Sequence, residues 1–190
     1  MTKTKTILGL SLAAVFAVSM LGSVYAAGHV FFDTVEVKKS EEGKNLLDVH
    51  IKVQADIPET GAFGYGLVGN FGFNNVLALT SHTWILDHSS QDNAADGILH
   101  PHVLDLKAPT SACSSTTTLE VDLAKTVETE NNFDAPYDTE VTGDTVWVTG
   151  VPKSDLAGKI KAIVSFTIVP VIVDDVVTNL CLTIKDTAFP

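Results

Sequence analysis

The chain has 190 residues, and its 12 basic residues, all of them lysine, are outnumbered by 23 acidic residues, which gives a formal net charge of −11. An acidic chain without arginine offers neither a phosphate-binding stripe nor a base-reading fork, so nucleic acid is excluded as a partner. A hydrophobic share of 45% with 18% charged residues is enough for a packed core, which excludes a disordered acidic tail.

The first 26 residues have the pattern of a secretory signal. Two early lysines supply the positive start, an apolar stretch runs from Ile7 to Leu21, and Ala26 ends a small-x-small cleavage pattern. We therefore predict a signal peptide over residues 1–26 and a single domain over residues 27–190, in a secreted, periplasmic or cell-surface location. No stable membrane anchor is expected, because no later stretch is long and apolar enough to cross a bilayer.

A histidine close to the predicted cleavage site adds a separate expectation. Cleavage after Ala26 leaves Ala27-Gly28-His29 at the amino terminus. A free amine, two deprotonated amides and an imidazole form a square-planar nitrogen set, which favours Cu(II) or Ni(II). These three residues resemble the amino-terminal copper and nickel binding motif, and cleavage one residue later would abolish it.

Strand patterns dominate the rest of the chain. Residues 47–55 alternate strictly between apolar and polar side chains, which is the period of a half-buried strand. Other strands are predicted at Val30–Val37, Val76–Leu79, Thr83–Leu86, Val103–Leu106, Leu119–Leu123, Thr145–Thr149, Ile160–Val169 and Val176–Ile184. Eight or nine strands at this spacing predict an all-β protein, namely an antiparallel β-sandwich of immunoglobulin-like or jelly-roll-like type, with a barrel as the second choice.

The segment Gly64–Gly69 matches the G-x-G-x-x-G pattern of dinucleotide-binding proteins. That fingerprint needs a helix after its last glycine, whereas residues 70–73 continue the glycine and aromatic pattern. We therefore interpret the segment as a glycine-rich strand or loop in which two backbones approach closely.

Four of the six histidines lie between residues 82 and 102. In an extended chain, His100 and His102 point to one face, and His82 and His88 likewise share a face. An antiparallel hairpin with His88 opposite His100 brings His88, His100 and His102 together at the loop end of one sheet face. A register that differs by one residue would separate these side chains, because parity decides the face.

Neutral imidazole is the commonest metal ligand, and a set of histidines alone suits Cu(II) or Zn(II). We therefore predict a copper site at His88, His100 and His102, with His82 or His29 as the further ligand and zinc as the alternative metal. The competing interpretation is a group of hydrogen-bonded histidines at a loop mouth that holds no metal.

Two further features concern cysteines and acidic residues. Cys113 and Cys181 are the only cysteines, and export favours one disulfide bond, with two unpaired thiols as the alternative. Residues 126–144 form a long polar insertion rich in carboxylates. Calcium accepts oxygen ligands from irregular loops, but the EF-hand pattern is missing, so a solvated acidic loop is preferred over a calcium site.

No motif in the sequence predicts a catalytic site. The nucleophile elbow and the zinc-protease motif are both missing from the sequence. The leading hypothesis is therefore an exported acidic β-sandwich that binds a transition metal. The alternative is a structural or adhesive surface module that self-associates, or binds another exported protein, through strand edges such as Val30–Val37. An enzyme that uses the metal as a Lewis acid or redox centre is the third and weakest option.

Overall fold

The computed structural model describes residues 28–70, 72–82, 99–128, 138–156, 158–174 and 176–190. The predicted signal peptide lies outside these residues, as do His88 and the predicted strand Thr83–Leu86. Within the described ranges, no helix is long and apolar enough to cross a membrane.

The described residues form an all-β structure of eleven strands in two antiparallel sheets, one of which is curled. The smaller sheet has the order β1-β2-β9-β8 and consists of β1 (Phe32–Lys39), β2 (Leu46–Val53), β8 (Asp138–Thr142) and β9 (Thr145–Pro152). The larger sheet has the order β5-β4-β3-β10-β11-β7-β6 and consists of β3 (Phe63–Gly69), β4 (Gly72–Ser81), β5 (His100–Leu104), β6 (Leu106–Lys107), β7 (Leu119–Val121), β10 (Ile160–Val173) and β11 (Val176–Ala188). One short helix, α1, spans Leu123–Glu128, and two 3₁₀ turns span Gly28–Val30 and Lys153–Asp155.

The predicted all-β antiparallel fold is confirmed, and the immunoglobulin-like or jelly-roll-like type stays a prediction. The strand count exceeds eight or nine for three reasons. The glycine-rich segment forms β3, the predicted strand Val103–Leu106 is divided at Asp105, and residues 138–142 of the predicted polar insertion form β8. β8 is an edge strand with no fully buried side chain, which explains why it lacks an apolar pattern.

The seven-stranded sheet curls because its two edge strands are consecutive in the chain. β5 and β6 are separated only by Asp105, and β6 lies close to β4. The enclosed face of this sheet is filled by apolar side chains, namely Val76, Ala78, Leu104, Leu106, Leu119, Val121, Phe166, Ile168 and Leu182. The curled sheet thus has an interior of its own.

A second core lies between the two sheets. The outward face of the curled sheet contributes Tyr65, Leu67 and Leu79, which are fully buried. β2 contributes Val49, Ile51 and Val53, so the alternation predicted for residues 47–55 is confirmed in its buried face. The small sheet therefore packs on the outside of the curled sheet, and the interior of the curled sheet remains separate.

Gly64 in β3 shows why the glycine-rich segment needs glycine. A Cβ at this position would lie 2.5 Å from the carbonyl oxygen of Leu79 and 2.7 Å from Cζ of Phe166. Phe166 is paired directly with Gly64, so its ring covers the position where a side chain would stand. The prediction of a strand with a close approach is confirmed here.

We expect Gly64→Ala to lower the free energy of unfolding by about 1–3 kcal/mol, because the added methyl group overpacks a rigid backbone contact. Gly43→Ala is the matched control, since its new Cβ would meet only the flexible side chain of Leu46, at 3.3 Å. Urea unfolding of both variants measures the difference. Equal midpoints for the two variants would contradict the close packing at Gly64.

Cys113 and Cys181 form a disulfide bond across a sequence separation of 68 residues, with their Cα atoms 5.7 Å apart. The predicted pairing is confirmed. The bond ties the loop between β6 and β7 to β11, and neither sulfur is left as a thiolate.

A buried carboxylate lies beside this disulfide. Glu120 in β7 is 1% exposed, and it accepts hydrogen bonds from the Thr110 amide at 2.7 Å and from Nδ2 of Asn179 at 2.8 Å. Nζ of Lys107 lies 3.4 Å from Oε1 of Glu120. Burial by itself raises the pKa of Glu120, but these hydrogen bonds outweigh burial and lower the pKa to about 2. The charged Glu120 side chain therefore connects β7 to β11 through Asn179 and to the segment that contains Lys107 and Thr110.

Candidate metal centre

Three histidines converge where β4 ends beside β5. His100 and His102 alternate along β5, where Thr80 pairs with His100 and Ala78 with His102. His82 directly follows the last residue of β4 and has the same parity as Thr80. The pleat therefore directs all three imidazoles to the enclosed face of the curled sheet.

The ring nitrogens of these histidines come within ligand distance of one another. Nε2 of His82 lies 2.9 Å from Nε2 of His100 and 3.3 Å from Nε2 of His102. One ligand nitrogen from each residue lies within 4.8 Å of the other two. Nitrogens at about 2.0–2.1 Å from one metal ion lie about 2.9 Å apart at right angles and about 3.3 Å apart in a tetrahedron. The two distances from Nε2 of His82 therefore suit a shared metal ion.

Hydrogen bonds alone explain this convergence less well. Nε2 of a neutral imidazole either donates one hydrogen or accepts through one lone pair. Nε2 of His82 faces two other Nε2 atoms. Without a metal, either its single lone pair accepts hydrogen bonds from both neighbours, or one of the two contacts contains no hydrogen. A cation in reach of all three nitrogens accepts every lone pair at once.

The cluster lies at the entrance to the interior of the curled sheet. His102 is 3% exposed, whereas His82 and His100 are half-buried. A cavity of about 30 Å³, space for one or two water molecules, adjoins the cluster. It is lined by Thr80, His82, His102, Leu104, Val121, Leu123, Phe166, Ile168, Leu180 and Leu182. A ligand bound here would contact solvent on one side and apolar walls on the other.

Comparisons with known protein families, with curated proteins and with solved structures find no match for this chain. No function is therefore transferred from a relative. The histidine cluster and its surroundings are the features of the molecule that bear on its function.

The structure corrects the predicted register beside the cluster, and the prediction that His88 is a ligand is not tested. The predicted partner of His100 was His88, but the observed register pairs His100 with Thr80, and His88 lies outside the described residues. His82, predicted as a further ligand, has its Nε2 atom 2.9 Å from that of His100 and 3.3 Å from that of His102. The sequence supported this position through parity, because residues 80, 82 and 88 all fall on the same face.

His29 lies elsewhere. It belongs to the 3₁₀ turn Gly28–Val30, where its ring packs edge-on against Phe63 at a centroid distance of 4.5 Å. Its carbonyl oxygen accepts a hydrogen bond from the Tyr65 hydroxyl at 2.6 Å, and burial raises the pKa of that hydroxyl, which keeps it a donor. His29 is not part of the three-histidine group. The amino-terminal copper set requires Ala27, which is outside the described residues, so it stays a prediction.

The remaining histidine and the acidic insertion are also separate from the cluster. His50 in β2 stacks on Trp147 at a centroid distance of 3.9 Å, on the outer face of the small sheet. Among the described residues, the three histidines are the one group of at least three ligating side chains. Part of the insertion, residues 129–137, is not described, so the predicted solvated acidic loop and its alternative, a calcium site, are not tested there.

Proposed function

We propose that the protein is an extracytoplasmic metal-binding protein that holds one divalent transition metal ion through Nε2 of His82, His100 and His102. The observation that carries the proposal is that one ring nitrogen from each histidine lies within 4.8 Å of the others, with Nε2 of His82 2.9 Å from that of His100 and 3.3 Å from that of His102. β5 supplies two of the ligands and the residue after β4 supplies the third, so the pairing of β4 with β5 positions the site.

Copper is the proposed metal, and zinc is the competitor. At a site made of nitrogen ligands, affinity rises along the divalent series to Cu(II) and falls again at Zn(II). Both cysteine sulfurs are held in the disulfide, so the thiolate of a blue-copper centre is not offered. The proposed role is therefore to bind, store or deliver the metal.

The proposed location outside the cytoplasm rests on the predicted signal peptide and on the disulfide. Disulfide bonds persist in oxidising compartments and are rare in the cytosol. The acidic balance of the chain attracts cations over its whole surface. Bound metal counts as evidence for the site only if it depends on the histidines.

The test is calorimetric titration of the chelator-treated protein with Cu(II) and, separately, with Zn(II). We expect one tight equivalent, with copper bound more tightly than zinc. In the double variant His100→Ala/His102→Ala the affinity should fall at least about 100-fold, since a three-ligand site keeps one ligand. His50→Ala is the matched control, because this histidine lies on the other sheet, and it should bind as the unaltered chain does.

Two further measurements keep the outcome clear. Circular dichroism of the double variant shows whether it still folds. His29→Ala separates any amino-terminal copper binding from binding at the cluster. Unchanged stoichiometry and affinity in a folded double variant would refute the proposed site.

The structure also favours a second function, that of a surface module, through one observation. β3 pairs with β10 only as far as Thr167, so the hairpin of β10 and β11 extends beyond its neighbour. Four large apolar side chains on this arm are 52–62% exposed, namely Val169, Ile172, Val173 and Val176. We propose self-association through this arm as the alternative function, since exposed apolar strands pair readily. Analytical ultracentrifugation tests it, and a monomer at high concentration would contradict it.

A further inference from the structure

Thr80 carries a buried hydroxyl that the fold itself does not use. The residue is 3% exposed, and its Oγ1 has no hydrogen-bond partner among the described residues. A buried hydroxyl without a partner loses its hydration and gains nothing in exchange. Valine has nearly the same shape without this cost, and the hydroxyl of Thr80 is available to a ligand in the cavity that the residue lines.

Thr80 lies beside the three histidines. Thr80 is opposite His100 in the pairing of β4 with β5, and it precedes His82 by two residues on the same face. Its side chain lines the same cavity as His82 and His102. Thr80 therefore lines the space beside the proposed metal.

Three histidine ligands leave at least one open position on a metal ion of coordination number four or more, which holds for Cu(II) as for Zn(II). We propose that this open position faces the cavity and takes a water molecule or a small anion such as hydroxide, halide or azide, which accepts a hydrogen bond from Oγ1 of Thr80. This inference rests on the proposed function. The Thr80 hydroxyl would favour a metal-bound ligand that has a lone pair to accept its hydrogen. The apolar walls of the cavity would strengthen this hydrogen bond, because they keep water away from that side of the ligand.

The cavity limits what can bind. A volume of about 30 Å³ admits one or two water-sized groups. Leu104 and Phe166 form part of its wall and offer no hydrogen-bonding group on their side chains. The proposed fourth ligand is therefore a small group that uses the Thr80 hydroxyl as its donor.

The experiment titrates the copper-loaded protein with azide and follows the azide-to-copper charge-transfer absorption. We expect azide to bind the unaltered protein and to bind Thr80→Val roughly tenfold more weakly or worse, since one hydrogen bond to a charged group is lost. The copper stoichiometry should be the same in both proteins, and azide affinity is measured on fully copper-loaded samples of each. Thr80→Ser, which keeps the hydroxyl, should restore azide binding.

Thr139→Val is the matched control. Oγ1 of Thr139 also lacks a partner among the described residues, but it belongs to β8 in the small sheet. Its removal should leave azide affinity unchanged.

The outcomes separate this inference from the proposed function. Failure of the unaltered protein to bind copper at the cluster would overturn both. Copper binding with no azide band, or with equal azide affinity in Thr80→Val, would overturn the role of Thr80 and leave the metal site standing.

Discussion

Saturating the chelator-treated protein with Cu(II) is expected to raise its free energy of unfolding by about 4 kcal/mol at a free-metal concentration 1,000 times Kd. The gain is expected because the proposed site, where three ring nitrogens converge, exists only in the folded chain, so the metal would bind the folded chain more tightly than the unfolded chain. His82 follows β4, whereas His100 and His102 belong to β5, an edge strand paired only with β4 in the described sheet. The metal would therefore fasten this edge strand to its neighbour.

Urea unfolding with and without Cu(II) measures this increment. In His82→Ala, which removes the nitrogen 2.9 Å from that of His100 and 3.3 Å from that of His102, the increment at the same free-metal concentration should fall by at least about 1.4 kcal/mol, because loss of one of three ligands is expected to weaken binding at least about tenfold. His50→Ala should retain the full increment. The comparison uses the difference between loaded and stripped states of each variant, so a loss of packing in His82→Ala cancels. An equal increment in His82→Ala and the unaltered chain would contradict binding at the cluster.

Replacing Glu120 with alanine is expected to lower the free energy of unfolding by about 3 kcal/mol or more, since removing one partner of a buried, hydrogen-bonded charge leaves the others unpaired. The Thr110 amide and Asn179 lose their acceptor. Lys107 is 39% exposed and can return to water, so its share is smaller. Glu140→Ala, at an exposed position of β8, is the control and should change stability by less than about 0.5 kcal/mol.

The same carboxylate predicts a pH dependence. In the folded chain the pKa of Glu120 is about 2, against an ordinary value of 4.5. A carboxyl group whose pKa is lowered by folding stabilises the folded state above its ordinary pKa, and this contribution is lost as the pH falls towards the folded value. The stability difference between the unaltered chain and Glu120→Gln should therefore be full at pH 7 and shrink between pH 4.5 and 2. A difference that stays constant across this window would contradict the lowered pKa.

Local patterns predicted those parts of the fold in which burial follows the strand period. Residues 47–55 alternate strictly, and β2 has its buried positions where the alternation places them. β3 is different, because glycine disfavours strands and its role depends on Phe166 lying across the sheet. That contact joins residues about a hundred positions apart, and no local pattern encodes it.

The histidine site shows the same division between local and long-range information. Parity along each strand correctly placed His82, His100 and His102 on one face. Alignment between the strands was wrong, since Thr80 and His88 have the same parity and the sequence offers no reason to prefer either as the partner of His100. Glu120 was missed because a single charged residue between Leu119 and Val121 looks like the solvent-facing position of an ordinary strand.

The strand order of the curled sheet has a consequence for biosynthesis. β11 is the last strand of the described chain, yet it lies inside the sheet between β10 and β7 and carries Cys181. A chain that emerges amino terminus first therefore presents β6, β7 and Cys113 before their partner exists. Until β11 has been synthesised, the sheet cannot close and Cys113 has no partner within the chain with which to form the disulfide. Oxidation by a thiol oxidoreductase is thus expected after translation of β11, and premature oxidation would join Cys113 to a foreign thiol.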